Sequence, residues 1–296
     1  MQNSAIDQIK LSEDIQVSVV IPHFSSSREE NLKGLLDELR AQTFQAVEII
    51  IVRGISPQGR AINQGARLAK GEILVVMDDD SRMGSPRVIE NLVKVIRQDP
   101  SIAMAGASIQ TSEEANAFQK VAARQFPRFS MPMVREIIDS DLPCHGCVAF
   151  RKEIFMKVGM EREHIIRGLD PDLRVRFRKG GYRVVLVPDT VVYHPLPGSF
   201  FKFIRLFFRN GYGSAYLQVF YPEINYDTDE SLGSQSFVPK RSFLYRAFRF
   251  PVRLGQSLLR LEWFRFLGYF VYVFGYLAGF LQFAVIGRLQ KKLHAL

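Results

Sequence analysis

Ten consecutive residues, Gly71-Glu72-Ile73-Leu74-Val75-Val76-Met77-Asp78-Asp79-Asp80, restrict the fold more than any other part of the chain. Their apolar run reads as a strand buried on both faces, the environment at the centre of a parallel sheet. Three carboxylates close the run and so fall at the rim of that sheet, where open α/β folds bind ligands. Carboxylates so close together repel one another, and hard divalent cations such as Mg2+ prefer all-oxygen surroundings. Taken alone, the triplet has two readings: a metal site, or a solvated acidic turn after a strand.

The flanking sequence supplies the rest of a sheet. Val17 to Pro22 is a β-branched run stopped by proline, and Val47 to Val52 is a second strand. Between them Ser25, Ser26 and Ser27 are helix N-cap candidates, and Ser27 with Glu30 has capping-box spacing. Leu32, Leu35, Leu36 and Leu39 then recur at helical period. Gly59 to Lys70 predicts a second helix with Ile62, Ala66 and Ala69 on one side. Pro86 suits a first helical turn ahead of Val88, Ile89, Leu92, Val93 and Ile96. Ile102 to Ala107 is a further short strand. The alternation predicts an α/β fold with a mostly parallel sheet. Neither G-x-G-x-x-G nor G-x-x-x-x-G-K-[ST] follows the first strand, which argues against a Rossmann dehydrogenase or a P-loop NTPase.

Composition narrows the class. A hydrophobic fraction of 47% excludes a disordered chain, and 296 residues hold one large α/β domain with an appendage or two modest domains. Cys144 and Cys147 make no disulfide framework and suit reduced cytosol. A net charge of +9 points to an anionic neighbour, either phosphate-bearing ligands or an acidic membrane surface. The first fifteen residues are polar, with Asp7, Glu13 and Asp14, and read as no secretory signal.

Three further stretches carry chemistry. Leu142-Pro143-Cys144-His145-Gly146-Cys147 offers two thiols and one imidazole, one ligand short of a tetrahedral zinc site, and C-x-x-C alone is weak. In Gly168-Leu169-Asp170-Pro171-Asp172-Leu173, Asp170 precedes a proline and is expected at the mouth of a helix, where a plain Asp N-cap accounts for it. Gly180-Gly181-Tyr182 turns the chain into a strand from Val184 to Pro188, followed by Val191-Val192-Tyr193-His194-Pro195.

The run Val19-Val20-Ile21-Pro22, then Ala61-Ile62-Asn63-Gln64-Gly65 through Ala69-Lys70-Gly71-Glu72, then the strand into Asp78-Asp79-Asp80, resembles the family 2 glycosyltransferases. The resemblance implies the GT-A fold, a nucleotide-sugar-binding α/β domain with a D-x-D metal motif. It implies Asp80 as ligand of the cation that bridges the donor diphosphate, with Asp78 positioning ribose or metal and Asp79 the less constrained middle position. Pro22 and Asn63 join Asp78 and Asp79 on the implied donor side. Asp170 matches the catalytic base of the family's E-D-x-D-L segment, and His145, Gly146 and Asp172 fall on the implied acceptor side. His194 would complete the metal or diphosphate site, or be a packed histidine; imidazole suits Mn2+ better than Mg2+. His145 is likewise open between contact with the acceptor or the phosphates and a satisfied buried histidine.

Two positions depart from the pattern. Where the family usually carries an acidic pair that contacts the nucleotide base, this chain has Arg53-Gly54, a cation that meets phosphate or is simply solvated. Leu169 replaces the glutamate before the base, which relieves like-charge upward pressure on Asp170.

From Phe200 the composition changes. Phe200, Phe201, Phe203, Phe207 and Phe208 alternate with Lys202, Arg205 and Arg209, as in a helix lying in a membrane interface or a core helix with snorkelling cations. Residues 225–240 read as a polar loop. Phe266 to Gly287 carries no charge and is long enough to cross a bilayer, with Gly275 and Gly279 at close-packing spacing. Both flanks are basic (Arg265; Arg288, Lys291, Lys292), which favours an in-plane or re-entrant helix over a clean span. A buried oligomer interface is the remaining reading.

These readings combine into an expectation. Residues 1–198 form a GT-A catalytic domain and 199–296 a basic-aromatic helical region at the cytoplasmic face of the cell membrane. The chain uses Mg2+ or Mn2+ and performs a single inverting displacement from a nucleotide-sugar donor to a membrane-delivered or lipid-linked acceptor. Nothing resembles a nucleic-acid module. A sugar-nucleotide-binding scaffold without turnover and a nucleotidyltransferase are the alternatives.

Overall fold

The computed structural model describes residues 5–126, 130–224 and 242–293. A single sheet organises the first two-thirds of the chain. Its strands are β1 (Ile6–Lys10), β2 (Val17–His23), β3 (Val47–Arg53), β4 (Ile73–Val76), β5 (Arg82–Met83), β6 (Ile102–Gln110), β7 (Ile138–Asp139), β8 (Val148–Arg151) and β9 (Arg183–Tyr193). Their order is β1-β3-β2-β4-β8-β6-β9-β5, with β7 also on β9. Neighbours β3, β2 and β4 run parallel, as do β6 and β9, while β8 joins the two groups antiparallel to both β4 and β6.

The four residues of β4 are buried on both faces because β2 and β8 flank it and helices cover it above and below. Helices α1 (Glu29–Arg40) and α3 (Val88–Gln98) set Leu32, Leu35, Leu39, Leu92 and Ile96 against Val19, Ile49, Ile73 and Val75 on one face. On the other, α2 (Gln58–Leu68), α5 (Lys152–Lys157) and α6 (Leu169–Lys179) set Ile62, Ala66, Phe155, Leu173 and Phe177 against Val20, Ile50, Leu74 and Val76. Alternate residues of each strand face opposite layers, and each fully buried side chain contributes roughly 1.5–3 kcal/mol. Gly71 lets the chain enter β4: a Cβ there would lie 2.7 Å from the backbone nitrogen of Ser18.

Local signals in the sequence differ from the structure in instructive ways. The Ser27/Glu30 capping box does not form; Ser25 instead caps a short 3-10 turn over Ser26–Arg28, and α1 follows directly. The run 184–188 and the first three residues of 191–195 belong to one strand, β9, which ends just before His194 and has a register shift against β6 that accommodates Asp189 at φ 51°. Strand β1 has no strong apolar pattern and forms by adding its backbone antiparallel to the edge of β3.

The last third is helical. Helix α4 (Ala117–Gln125), closed by an Asn116/Gln119 capping box, leads to Phe126, whose ring packs on Phe203 and Phe207 of α7 (Phe200–Phe220) and Tyr269 of α9 (Trp263–Leu293). Between them lies α8 (Phe243–Leu259). Helices α7 and α9 run side by side in the same direction, Phe203 meeting Phe264 and Tyr216 meeting Phe283. At its far end α7 packs Leu217 against Ile165 and Leu169, at the start of α6. The polar stretch 225–240 lies outside the described residues.

Candidate active site

The strand register brings the functional groups to one rim. Val76 at the end of β4 pairs with Val148 at the start of β8, so Asp78–Asp80 lie beside the His145-Gly146-Cys147 turn. Gln110 of β6 pairs with Tyr193 of β9, and the His194 backbone N–H continues to the Gln110 carbonyl. Ser81 ties two of these loops together by donating to the Gly146 carbonyl at 2.7 Å. A Cβ on Gly146 would lie 2.9 Å from Ile109 Cδ1 and 3.5 Å from His194 Cδ2.

Asp78, Asp80 and His194 converge, with ligand atoms all within 4.8 Å of one another. His194 Nε2 is 3.2 Å from Asp78 Oδ2 and 3.4 Å from Asp80 Oδ1. Gln58 of α2 donates to the other Asp78 oxygen at 2.7 Å. Burial opposes charge on His194, but the Asp78 hydrogen bond and both carboxylates outweigh it and raise its pKa to about 9. Burial pushes Asp80 up, and its Oδ1 is buried without a hydrogen bond among the described residues. Two oxygens and an imidazole nitrogen, one of the oxygens orphaned, fit a divalent cation with mixed O/N preference.

Asp79 points elsewhere. Its carboxylate accepts from His23 Nδ1 and from Arg28, both at 2.9 Å. Arg28 also lies 3.1 Å from Asp80 Oδ2, so this half-exposed guanidinium flanks the cluster. No motif singled out Arg28; only its place after the first strand, in a serine-rich loop, hinted at the rim.

Arg53 is partly exposed but paired rather than free. It pairs with Asp7 at 2.6 Å and, through both terminal nitrogens, with Glu29 at 2.9 and 3.1 Å. His23 Nε2 reaches the same Glu29 at 3.1 Å. Pro22 precedes this network on β2, beside Val52.

Asp170 is the second residue of α6, one position inside the helix rather than at its cap, which Gly168 supplies at φ 95°. Its Oδ1 accepts from the His145 backbone N–H at 2.8 Å and lies 2.9 Å from His145 Nδ1. Burial alone would raise the Asp170 pKa, but the His145 charge and hydrogen bond hold it well below the usual carboxylate range. On its other side His145 Nε2 meets Glu161 at 2.9 Å. Asp170 stands near enough for its charge to bear on Asp78.

The remaining residues have structural partners. Asp172 is buried between Arg162 at 2.9 Å and Arg176 at 2.7 Å. Asn63 is buried on α2; its amide brackets Glu161, donating to the carbonyl at 2.8 Å and accepting from the N–H at 2.9 Å. Cys147 is buried and its thiol is pushed up by burial, so the C-x-x-C pair is a turn, closed by the Cys147 N–H on the Cys144 carbonyl.

A mixed sheet covered on both faces, with an Asp-x-Asp cluster and a partly exposed carboxylate on one rim, defines a GT-A-type nucleotide-sugar fold. Residues 15–213 match the model of the glycosyltransferase-like family 2, and the chain belongs to that family as a transferase. It is 23% identical over 203 residues to the amylovoran biosynthesis glycosyltransferase AmsE of Erwinia amylovora, covering 59% of this chain and 74% of that one. It is also 23% identical over 268 residues to a glucosyl-dolichyl phosphate glucuronosyltransferase of Haloferax volcanii, covering 74% of this chain and 82% of that one. A mannosyltransferase of Pyrobaculum calidifontis, solved in complex with GDP-Man and Mn2+, shares the fold with a TM-score of 0.57 at 13% identity, over 90% of this chain and 88% of that one.

Proposed function

We propose that this chain is a metal-dependent, inverting glycosyltransferase that moves a sugar from a nucleotide-sugar donor to a hydroxyl of an acceptor presented at the cytoplasmic membrane surface. The observation that carries the reading is the juxtaposition of a fixed carboxylate, Asp170, with the Asp78/Asp80/His194 cluster on one rim. A divalent cation held by those three residues supplies positive charge opposite the departing diphosphate. The imidazole in the set favours Mn2+, the cation present in the Pyrobaculum complex.

The side chains divide the remaining work. Asp170, ionised at neutral pH, takes the proton of the acceptor hydroxyl as that oxygen attacks the anomeric carbon from the face opposite the diphosphate. Arg28, held by Asp79, offers a guanidinium to the phosphates. Pro22 shapes the donor floor at the end of β2. Asn63 serves the donor side indirectly, by fixing the backbone around Glu161. Gly146 and His145 border the acceptor side, and Asp172 anchors the helix that carries the base.

Two facts support delivery of the acceptor at a membrane. Helix α7 packs on Phe126 near its start and on Leu169, one residue before Asp170, near its end, so the helical region abuts the acceptor side. Residues Trp263–Val285 of α9 are long and apolar enough to cross a bilayer. Yet α9 follows α7 from Phe264 to Phe283, and α7 exposes Lys202, Arg205 and Arg209 while packing on the catalytic domain. Sinking the pair upright costs roughly 2.5–3.5 kcal/mol per cation at the bilayer centre, which favours α9 lying in the interface plane. Helix α8 suits the same plane: Leu244, Phe248, Val252 and Leu259 form an exposed stripe at helical spacing beside Arg249, Arg253 and Arg260. The Haloferax relative is named for a dolichyl phosphate acceptor, which is in keeping with a lipid-linked one here.

A panel of nucleotide sugars with Mn2+ or Mg2+, repeated in EDTA, tests the reading. Metal-dependent release of nucleoside diphosphate is expected; release of pyrophosphate would mark a nucleotidyltransferase, and release of neither would contradict turnover.

A further inference from the structure

Glu161 lies in the loop before α6, outside the Asp78/Asp80/His194 cluster. Its side chain is fully buried, and one of its carboxylate oxygens, Oε2, has no hydrogen-bond partner among the described residues. A carboxylate in that setting is costly unless a charged partner offsets it. Oε1 lies 2.9 Å from His145 Nε2, while the opposite ring nitrogen, Nδ1, lies 2.9 Å from Asp170 Oδ1. Only an imidazolium donates from both ring nitrogens at once.

We propose that Glu161 is a positioning residue for Asp170, acting through His145: the three form an acid–imidazolium–acid relay, buried at Glu161 and His145 and open at Asp170, that aims the Asp170 carboxylate and keeps it ionised. This rests on Asp170 being the base. Two N–H groups of His145, ring and backbone, converge on Oδ1 and fix the carboxylate plane. Among the described residues no hydrogen bond falls on Oδ2, which is left for the acceptor hydroxyl. In the transfer the bond from the anomeric carbon to the diphosphate oxygen breaks with its electron pair, the bond to the acceptor oxygen forms, and the acceptor proton goes to Asp170. The relay's own proton stays on His145 throughout. As Asp170 is neutralised, Glu161 is the carboxylate that continues to balance the imidazolium. Asn63 holds the segment in place through both backbone groups of Glu161.

The surrounding charges are accounted for. His145 faces Asp170 from α6 and Glu161 from the loop before it, and its charge reaches Asp78. Arg174 bears on Asp170 and Arg176 on Glu161. Burial works against the His145 charge, but Asp170 and Glu161 hold its pKa well above the ordinary imidazole value, and burial pushes Glu161 up.

The test is nitrogen-detected NMR of the His145 ring in the full chain, compared with Glu161→Gln. Wild-type His145 is expected to keep both N–H groups through neutral pH, and Glu161→Gln to lower its titration by about 1–3 pH units, the usual effect of one adjacent opposite charge. An unchanged titration overturns the relay, whatever the activity. In parallel, kcat/KM of Glu161→Gln for a nucleotide sugar that releases diphosphate should gain an inflection at the pH where His145 titrates; a profile superimposable on wild type also overturns it. Should Glu161→Gln not fold, His145→Gln replaces it: the acid limb of kcat/KM moves up toward the ordinary carboxylate range, and an unmoved limb sinks the proposal. Wild-type turnover in Asp170→Asn would instead remove the base assignment, leaving the NMR result to stand by itself.

Discussion

Helices α7 and α9 approach so closely that alanine in place of a glycine at their seam is expected to have the opposite sign from the same substitution in α8. A Cβ at Gly275 would lie 3.0 Å from the Phe208 Cα and 2.9 Å from its carbonyl carbon, and closer still to the carbonyl oxygen. Carbon atoms prefer a separation of about 3.5–4.0 Å, and the still closer carbonyl oxygen sets the requirement, so the helices must part by roughly 1 Å, a gap that forfeits about half of each contact along the seam. The obstacle is backbone and cannot swing aside. The cost therefore belongs at the upper end of the overpacking range, about 3 kcal/mol, or a Tm loss of about 6–12 °C. Gly255, inside α8, has nothing within 4 Å of the Cβ position. Alanine there removes only the entropic penalty of a helical glycine and should stabilise by about 0.5–1 kcal/mol. Thermal unfolding of both variants in detergent reads the contrast. Equal shifts, or a milder loss at Gly275 than at Gly255, would refute the close helix seam.

Other predictions bear on separate parts of the account. Asp172→Asn leaves two guanidiniums facing a neutral amide; since Arg162 is 30% exposed, a loss at the low end of the buried-pair range, about 3 kcal/mol, is expected in denaturant unfolding, with acceptor KM unchanged. Phe248→Glu with Leu259→Glu should abolish flotation with anionic liposomes while leaving diphosphate release from soluble donor intact; undiminished flotation would count against α8 as the contact face. The Asp170 pKa is depressed on folding, so its stabilising contribution is complete above the ordinary carboxylate value of about 4 and is lost as pH falls through the folded value. Asp170→Asn should accordingly flatten the acid side of the stability–pH curve, and an unchanged slope would mean the His145 pairing is weak.

The sequence showed the sheet centre and the chemistry at its rim because both are written in local runs. Buried strands are continuous apolar stretches, and the acids follow directly in chain order. The family resemblance grouped Asp78 and Asp80 with His194, as the structure does, but the residues alone did not, since pairing across the rim depends on register. Asp79 and Asp80 are neighbours in sequence and share Arg28, yet one faces His23 and the other His194. Glu161 and Arg28 were invisible for the same reason: no motif surrounds them, and their partners lie 16 and 51 residues away. Strand β1 was hidden because an edge strand needs only backbone pairing, which leaves no apolar signature. At Arg53 the sequence marked the departure, and the fold supplied its explanation in Asp7 and Glu29, one from each side of the strand.

The claim on which the rest depends is that Asp170 takes the acceptor proton. The direct measurement is nucleoside diphosphate release by Asp170→Asn, with donor affinity measured on the same protein. The account predicts a fall in turnover of about 10²–10⁴-fold, the usual contribution of a general base, with donor binding retained. Turnover at the wild-type rate would contradict it.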